Sequence, residues 1–210
     1  MIENNNLKEN KYRIHIITIA VCLLLFATMI VLVKTGTASV IDDPIRSEIL
    51  SWRTDWLTSI MKTITYLGNW QIITLICLIL LAIRKTRKTY GVPLSIGALG
   101  VSLANKGIKA LIMRPRPDIA EFLIEQGGWS FPSGHSITSM FFFGMAIWLI
   151  RKNVQSRKIA NVLTVLLTIP LVLIGVSRVY LGVHYPTDVL AGWCLGMMAI
   201  ALVTGLIKIR

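Results

Sequence analysis

Two histidines, one aspartate and five long cations stand in three short polar stretches of a chain that is otherwise mostly apolar. The stretches are Lys106 to Pro117 (KGIKALIMRPRP), Phe131 to Ser136 (FPSGHS) and Ser177 to Asp188 (SRVYLGVHYPTD). Lys109, Arg116 and Arg178 supply fixed positive charge, and an arginine fork can grip an anion through two hydrogen bonds at once. Ser133 and Gly134 precede a helix start, where free backbone N–H groups and the positive end of the helix dipole are available. Gly134 also lets the backbone come close to an anion. His135, His184 and Asp188 complete a set able to move protons or attack an electrophile. This is the chemistry of an anion site with acid–base groups. No cluster of Asp and Glu accompanies it to hold a divalent cation, so neither a metal nor another cofactor is expected.

The elements that position these groups follow from composition. The 210 residues fit one domain, are 54% apolar and only 15% charged, and have a mean hydropathy of +0.68. That is high for a soluble globular protein. The charges cluster between apolar runs, as in a membrane bundle. A net charge of +12 would point to nucleic acid in a soluble protein, but no recognition motif accompanies it. The basic residues sit in short runs beside apolar segments, which a bilayer explains. Cys22, Cys77 and Cys194 lie inside apolar runs with no CxxC spacing and no nearby His, and read as small buried hydrophobes.

The pattern predicts an all-α, polytopic membrane helix bundle in a single domain over residues 1–210, with six transmembrane helices and one extracytoplasmic amphipathic helix. The spans run from Ile14 to Val33, Tyr66 to Ile83, Tyr90 to Met113, His135 to Ile150, Ile159 to Tyr180 and Thr187 to Ile207. The first is too long for a signal-peptide core and lacks a small-residue cleavage site, so it is expected to be retained. Lys8, Lys11 and Arg13, then Arg84 to Lys88, then Arg151 to Lys158, then Lys208 and Arg210 all fall on one side of such a bundle. That side is the cytoplasm by the positive-inside rule. Both termini are then cytoplasmic, and the three polar stretches meet at the extracytoplasmic face. Between the first two spans, Ile45, Ile49, Trp52, Trp56, Ile60 and Ile64 recur at helical spacing. Asp43 suits an N-cap and Pro44 a first helical position, which predicts an amphipathic helix over 44–65, lying on the interface or packed on the bundle.

Lys109-x6-Arg116-Pro117, then Pro132-Ser133-Gly134-His135, then Ser177-Arg178-x5-His184-x3-Asp188 resembles the three-part signature of the type 2 phosphatidic acid phosphatase family. That family also resembles glucose-6-phosphatases and vanadium haloperoxidases. The parts are complete and in order, and the likeness covers residues 66 to 205. It implies that His184 attacks phosphorus to form a phosphohistidine and that Asp188 orients His184. His135 would protonate the leaving oxygen and then activate water. Lys109, Arg116, Ser133, Gly134 and Arg178 would hold the phosphoryl oxygens. No metal is implied. Pro186 suits a helix start that puts Asp188 in the first turn.

Arg114 and Lys106 lie off this pattern and read as supporting or snorkelling residues. Asp118, Glu121 and Glu125 read as a solvated loop face, and Gly127, Gly128 and Trp129 as residues at the site mouth. His15 lies at the opposite membrane face. The expected activity is hydrolysis of a membrane lipid phosphate: phosphatidic acid, phosphatidylglycerophosphate or undecaprenyl diphosphate. No obligatory protein partner is inferred. Phosphotransfer to a lipid or sugar hydroxyl would use the same phosphohistidine. A small anion transporter is the non-enzymatic alternative, disfavoured because the polar groups gather at one face and the chain shows no repeat.

Overall fold

The computed structural model describes residues 2–206, with the side chains of residues 13–205. Ile207, Lys208 and Arg210 and the side chains of Lys8 and Lys11 lie outside the described residues. The helices are α1 (Ile2–Thr35), α2 (Ser39–Ser51), α3 (Asp55–Tyr66), α4 (Trp70–Ala82), α5 (Val92–Ile112), α6 (Gly134–Asn153), α7 (Arg157–Tyr180) and α8 (Pro186–Leu206). Short helical turns occupy 84–91 and 119–121, and no strand occurs among the described residues.

Among the described residues, three helical segments are long and apolar enough to cross a bilayer: Arg13–Thr35, Arg157–Tyr180 and Pro186–Gly205. Helices α5 and α6 have the length, at 21 and 20 residues. They are less apolar because α5 carries Asn105, Lys106 and Lys109 while α6 carries Ser136, Thr138 and Ser139. At 13 residues, α4 rises only about 20 Å. It reaches a spanning length together with α3, to which it is bent by 46°.

Two expectations need correction here. The second span does not begin at Tyr66: that residue ends α3, residues 67–69 form a turn, and α4 starts at Trp70. A Cβ on Gly68 would stand 2.7 Å from Ile174 Cγ2 and 3.1 Å from His135 Cδ2, so the turn is pressed against α6 and α7. The single amphipathic helix over 44–65 is also two helices, broken at 52–54. Asp43 is not its cap, and Pro44 sits inside α2, which starts at Ser39. Pro44 forgoes one intrahelical bond, and the buried hydrogen bonds of the neighbouring Asp42 hold α2 against α8. The break frees Arg53, whose guanidinium donates to Tyr180 O at 2.8 Å and Glu121 O at 2.9 Å.

Helix α6 is the centre, packed against α5, α7 and α8. Phe141, Met145 and Ile174 are fully buried around it. Its approach to α8 depends on Gly192 and Gly196, one turn apart. Cβ atoms there would come within 2.8 Å of Ser133 O and 2.6 Å of Met140 Cβ. Such small-residue pairs let membrane helices pack backbone to backbone. The N-termini of α6 and α8 therefore lie side by side, and Ser133 N–H donates to Asp188 O at 3.0 Å. Helix α1 lies along α8, with Phe26 stacked on Phe131 at 5.8 Å. Outside this core, Leu24, Leu99, Leu103, Val165 and Leu166 are each more than half exposed. An apolar surface of that kind is covered by lipid rather than water.

Candidate active site

His184 stands in the turn between α7 and α8. The turn is shaped by Gly182, whose φ of +82° suits glycine. Its Cβ position is also closed off by Glu121 O. The N–H groups of Val183 and His184 both donate to Arg178 O at 3.2 Å. Pro186 opens α8 and places Asp188 in its first turn, as the spacing predicts. Asp188 Oδ2 accepts from Tyr185 N–H at 3.0 Å and faces His184 Nδ1 at 3.1 Å. Both side chains are buried.

The other imidazole nitrogen, Nε2, is 3.2 Å from Arg116 Nη1. A guanidinium can only donate, so Nε2 carries the lone pair and the proton sits on Nδ1, facing the carboxylate. Burial holds the His184 imidazole well below its ordinary 6.5, helped by the charges of Arg178, Arg116, Lys109 and Arg114. The neutral ring, with its lone pair on Nε2, is the form at neutral pH.

Arg116 is held from behind. Its Nη1 donates to Val183 O at 2.7 Å, Nε to Gly128 O at 2.9 Å, and Nη2 to Gly127 O at 2.9 Å and Trp129 O at 3.3 Å. The carbonyls of Gly127 to Trp129 thus hold the guanidinium. Burial lowers the Arg116 guanidinium from its ordinary value, and Asp188 opposes that shift. Lys109, in the last turn of α5, donates to the carbonyls of Trp129 and Ser130 rather than reaching out to headgroups. Arg178 is buried, with Nη1 on Thr65 Oγ1 at 2.8 Å and Nη2 on Gln126 Oε1 at 2.5 Å. Its Nε–H is buried without a protein partner.

Ser133 caps α6, its Oγ accepting from Ser136 N–H at 3.4 Å and Ser136 Oγ–H at 2.9 Å. Helix geometry leaves the N–H groups of Gly134 and His135 without intrahelical acceptors. His135 Nε2 is 2.6 Å from Asn69 Oδ1. Lys109, Arg116, Ser133, Gly134, His135, Arg178, His184 and Asp188 therefore gather where α5, α6, α7 and α8 end or begin. Among the described residues, no three His, Cys, Asp or Glu side chains converge as a metal site would require.

Asp42, Asn69, Thr65 and Gln126 stand beside the site and are absent from the sequence reading. Asp42 is fully buried and pairs with Arg114. Its signal was a carboxylate just past an apolar span, where charges are costly; the cap assignment at Asp43 obscured it. Arg114 is a member of the site's ion-pair network, donating to Asp188 Oδ1 at 2.8 Å. The sequence reads it as a supporting or snorkelling residue. Asn69, Thr65 and Gln126 carry no spacing signal. Glu121 is paired with Arg46 rather than solvated alone, and Lys106 stays apart beside a cleft between α4 and α5.

Comparison with known proteins finds relatives along most of the chain. Residues 89–210 match the PAP2 superfamily. The chain is 34% identical over 185 residues to phosphatidylglycerophosphatase B of Bacillus subtilis, covering 87% of this chain and 91% of that protein. It is 29% identical over 145 residues to undecaprenyl-diphosphatase of Sulfolobus acidocaldarius, covering 67% and 66%. Among solved structures, a transmembrane PAP2-type phosphatidylglycerolphosphate phosphatase from Bacillus subtilis superposes with a TM-score of 0.82 at 30% identity, covering 92% of this chain and 99% of that one. The family match takes in more than half the chain, and the relatives match along most of it. With its bundle of apolar helices, this membrane protein belongs to the PAP2 superfamily.

Proposed function

We propose that this protein is an integral-membrane phosphatase that hydrolyses lipid phosphates through a phosphohistidine at His184, without a metal ion. The observation that carries the reading is the orientation of one ring: Nδ1 is tied to Asp188 at 3.1 Å and Nε2 faces Arg116 at 3.2 Å. Nε2 attacks phosphorus, the N–P bond forms, and the P–O bond to the lipid breaks. The leaving oxygen takes a proton from His135. The ring keeps its Nδ1 proton and becomes cationic opposite Asp188. Deprotonated His135 then takes a proton from water, whose oxygen displaces His184 and releases inorganic phosphate. Charge on the equatorial oxygens is met by Arg116, Lys109, the Nε–H of Arg178 and the N–H groups opening α6.

A lipid substrate is supported by a cleft of about 660 Å³ lined by Trp70, Ile73, Leu78, Leu99 and Thr138. Thr138 lies one turn beyond His135, so the cleft runs beside the helix that carries His135. Six spans, counting α3–α4 as one bent span, agree with the basic clusters. Lys88 and Lys152, from two of those clusters, line one cleft, as residues of a common cytoplasmic face would. The site is then extracytoplasmic and both termini are cytoplasmic.

The test is phosphate release from purified protein over phosphatidic acid, phosphatidylglycerophosphate and undecaprenyl diphosphate, with EDTA present. Wild type should be active and His184→Ala inactive. Equal rates in the two proteins would remove the nucleophile assignment, and loss of activity in EDTA would remove the metal-free one. The relative rates name the substrate.

A further inference from the structure

The mechanism leaves two buried charged groups beside the site unused, Asp42 and Arg114. Asp42 Oδ2 accepts from Arg114 Nη2 at 2.6 Å and from Thr187 Oγ1–H at 2.9 Å, and Oδ1 accepts from Thr187 N–H at 2.8 Å. Arg114 Nη1 donates to Asp188 Oδ1 and Thr187 Oγ1, both at 2.8 Å. Its guanidinium carbon lies 3.9 Å from the centre of the Tyr185 ring. Asp188 carries His184 on its other oxygen. One chain of contacts thus runs from α2 through Arg114 to the reactive ring.

Charge counting gives the chain a purpose. Asp188 and Arg114 alone form a neutral pair, which offers little to a ring that becomes cationic on attack. Asp42 adds a second carboxylate, so the three groups sum to one negative charge. We propose that Asp42 is a positioning residue of this site: it holds Arg114 against Asp188 and supplies the charge that lets Asp188 stabilise the cationic His184. The residue lies outside the segment matched by the family, on a helix that otherwise reads as an interfacial element. The proposal rests on His184 being the nucleophile.

The test uses full-length protein in detergent, with kinetics on a soluble short-chain phosphatidic acid and NMR titration of labelled histidines. Assignment comes from single substitutions of His15 and His135. The groups facing His184 are Lys109 on α5, His135 on α6, Arg178 on α7, Asp188 on α8, and Arg114 and Arg116 from the intervening loop. All are unchanged in D42N. We expect D42N to lose about tenfold or more in kcat with KM within about twofold, the pattern of a group that acts in the transition state. R114Q, which leaves two carboxylates unopposed, should raise the His184 midpoint by about one unit. D42N should lower it, and D42N/R114Q should return it and recover part of the kcat lost in D42N. A purely structural Asp42 would leave the midpoint unmoved in D42N, and the double variant would titrate like R114Q. Unchanged kcat in D42N, or a midpoint that R114Q does not raise and the double variant does not return, overturns the proposal. If D42N fails to fold, R114Q and the double variant still decide. If wild type hydrolyses no lipid phosphate, the proposed activity falls, and the titration alone still decides whether Asp42 and Arg114 set the charge at His184.

Discussion

One carboxylate oxygen, Asp188 Oδ2, takes both the ring of His184 at 3.1 Å and the backbone N–H of Tyr185 at 3.0 Å. The same atom therefore fixes the imidazole tautomer and the turn that carries the imidazole. A neutral amide cannot do both. In Asp188→Asn the oxygen can serve Tyr185 or the ring, and an NH2 facing Nδ1 selects the tautomer with the proton on Nε2. That blocks attack. We expect kcat to fall by about 10³- to 10⁴-fold, the scale of loss when a buried orienting carboxylate becomes an amide. Phosphate release, with the fold monitored by circular dichroism, checks this.

Arg116 is gripped by carbonyls on its outer edge and faces Nε2 with its inner one. Lysine has one point charge and cannot bridge Gly127 to Val183 while facing the phosphoryl group. Arg116→Lys should cost about 10²- to 10³-fold in kcat, as for loss of one transition-state donor. An unchanged rate would mean that the guanidinium is only a clamp for the loop over residues 127–129.

How far the sequence foresaw this depends on the kind of interaction. Lys109, Arg116, His135, Arg178, His184 and Asp188 were legible because each is an ionisable group at the end of an apolar run, where only an anion site or a headgroup explains it. The end of α7 at Tyr180 and the start of α8 at Pro186 were legible because local rules act over one turn. Asp42, Asn69 and Gln126 were not. Their partners, Arg114, His135 and Arg178, are 72, 66 and 52 residues away, and no local periodicity encodes such distances. The break between α2 and α3 escaped for a related reason. The apolar spacing continues through Trp52 and Trp56, while the break is set by Arg53 reaching Tyr180 O and Glu121 O.

The pH response follows from the depressed His184 value. Below the ordinary 6.5 an unperturbed histidine would gain a proton and lose its nucleophilic lone pair. His184 stays neutral, so its loss of kcat/KM should begin only well below that pH. The stability sign is the opposite of that for a histidine that gains a salt-bridge partner on folding. Between the folded value and 6.5 the unfolded chain binds a proton that the native one does not, so stability falls as pH drops through this window. Thermal unfolding at pH 7 and in steps below 6.5 should show a declining midpoint. In His184→Gln that part of the decline should be absent; an identical decline would assign it to other groups.

Gly196 separates the packing role of α8 from its chemistry. Its Cβ position is 2.6 Å from Met140 Cβ and 2.9 Å from Ile137 O, so a side chain must push α8 off α6. Gly196→Val should destabilise by about 1–3 kcal/mol through overpacking. The same displacement would part Ser133 N–H from Asp188 O, bonded at 3.0 Å near the top of that contact, so kcat should fall as well. Gly100 on α5 is the control. A Cβ there meets nothing within 4 Å, and alanine favours a helix over glycine by about 1 kcal/mol. Gly100→Ala should therefore keep full activity and unfold at the same or a higher temperature. If both variants behaved alike in a thermal-shift and phosphate-release comparison, glycine would be needed for backbone freedom rather than for the approach of α8 to α6.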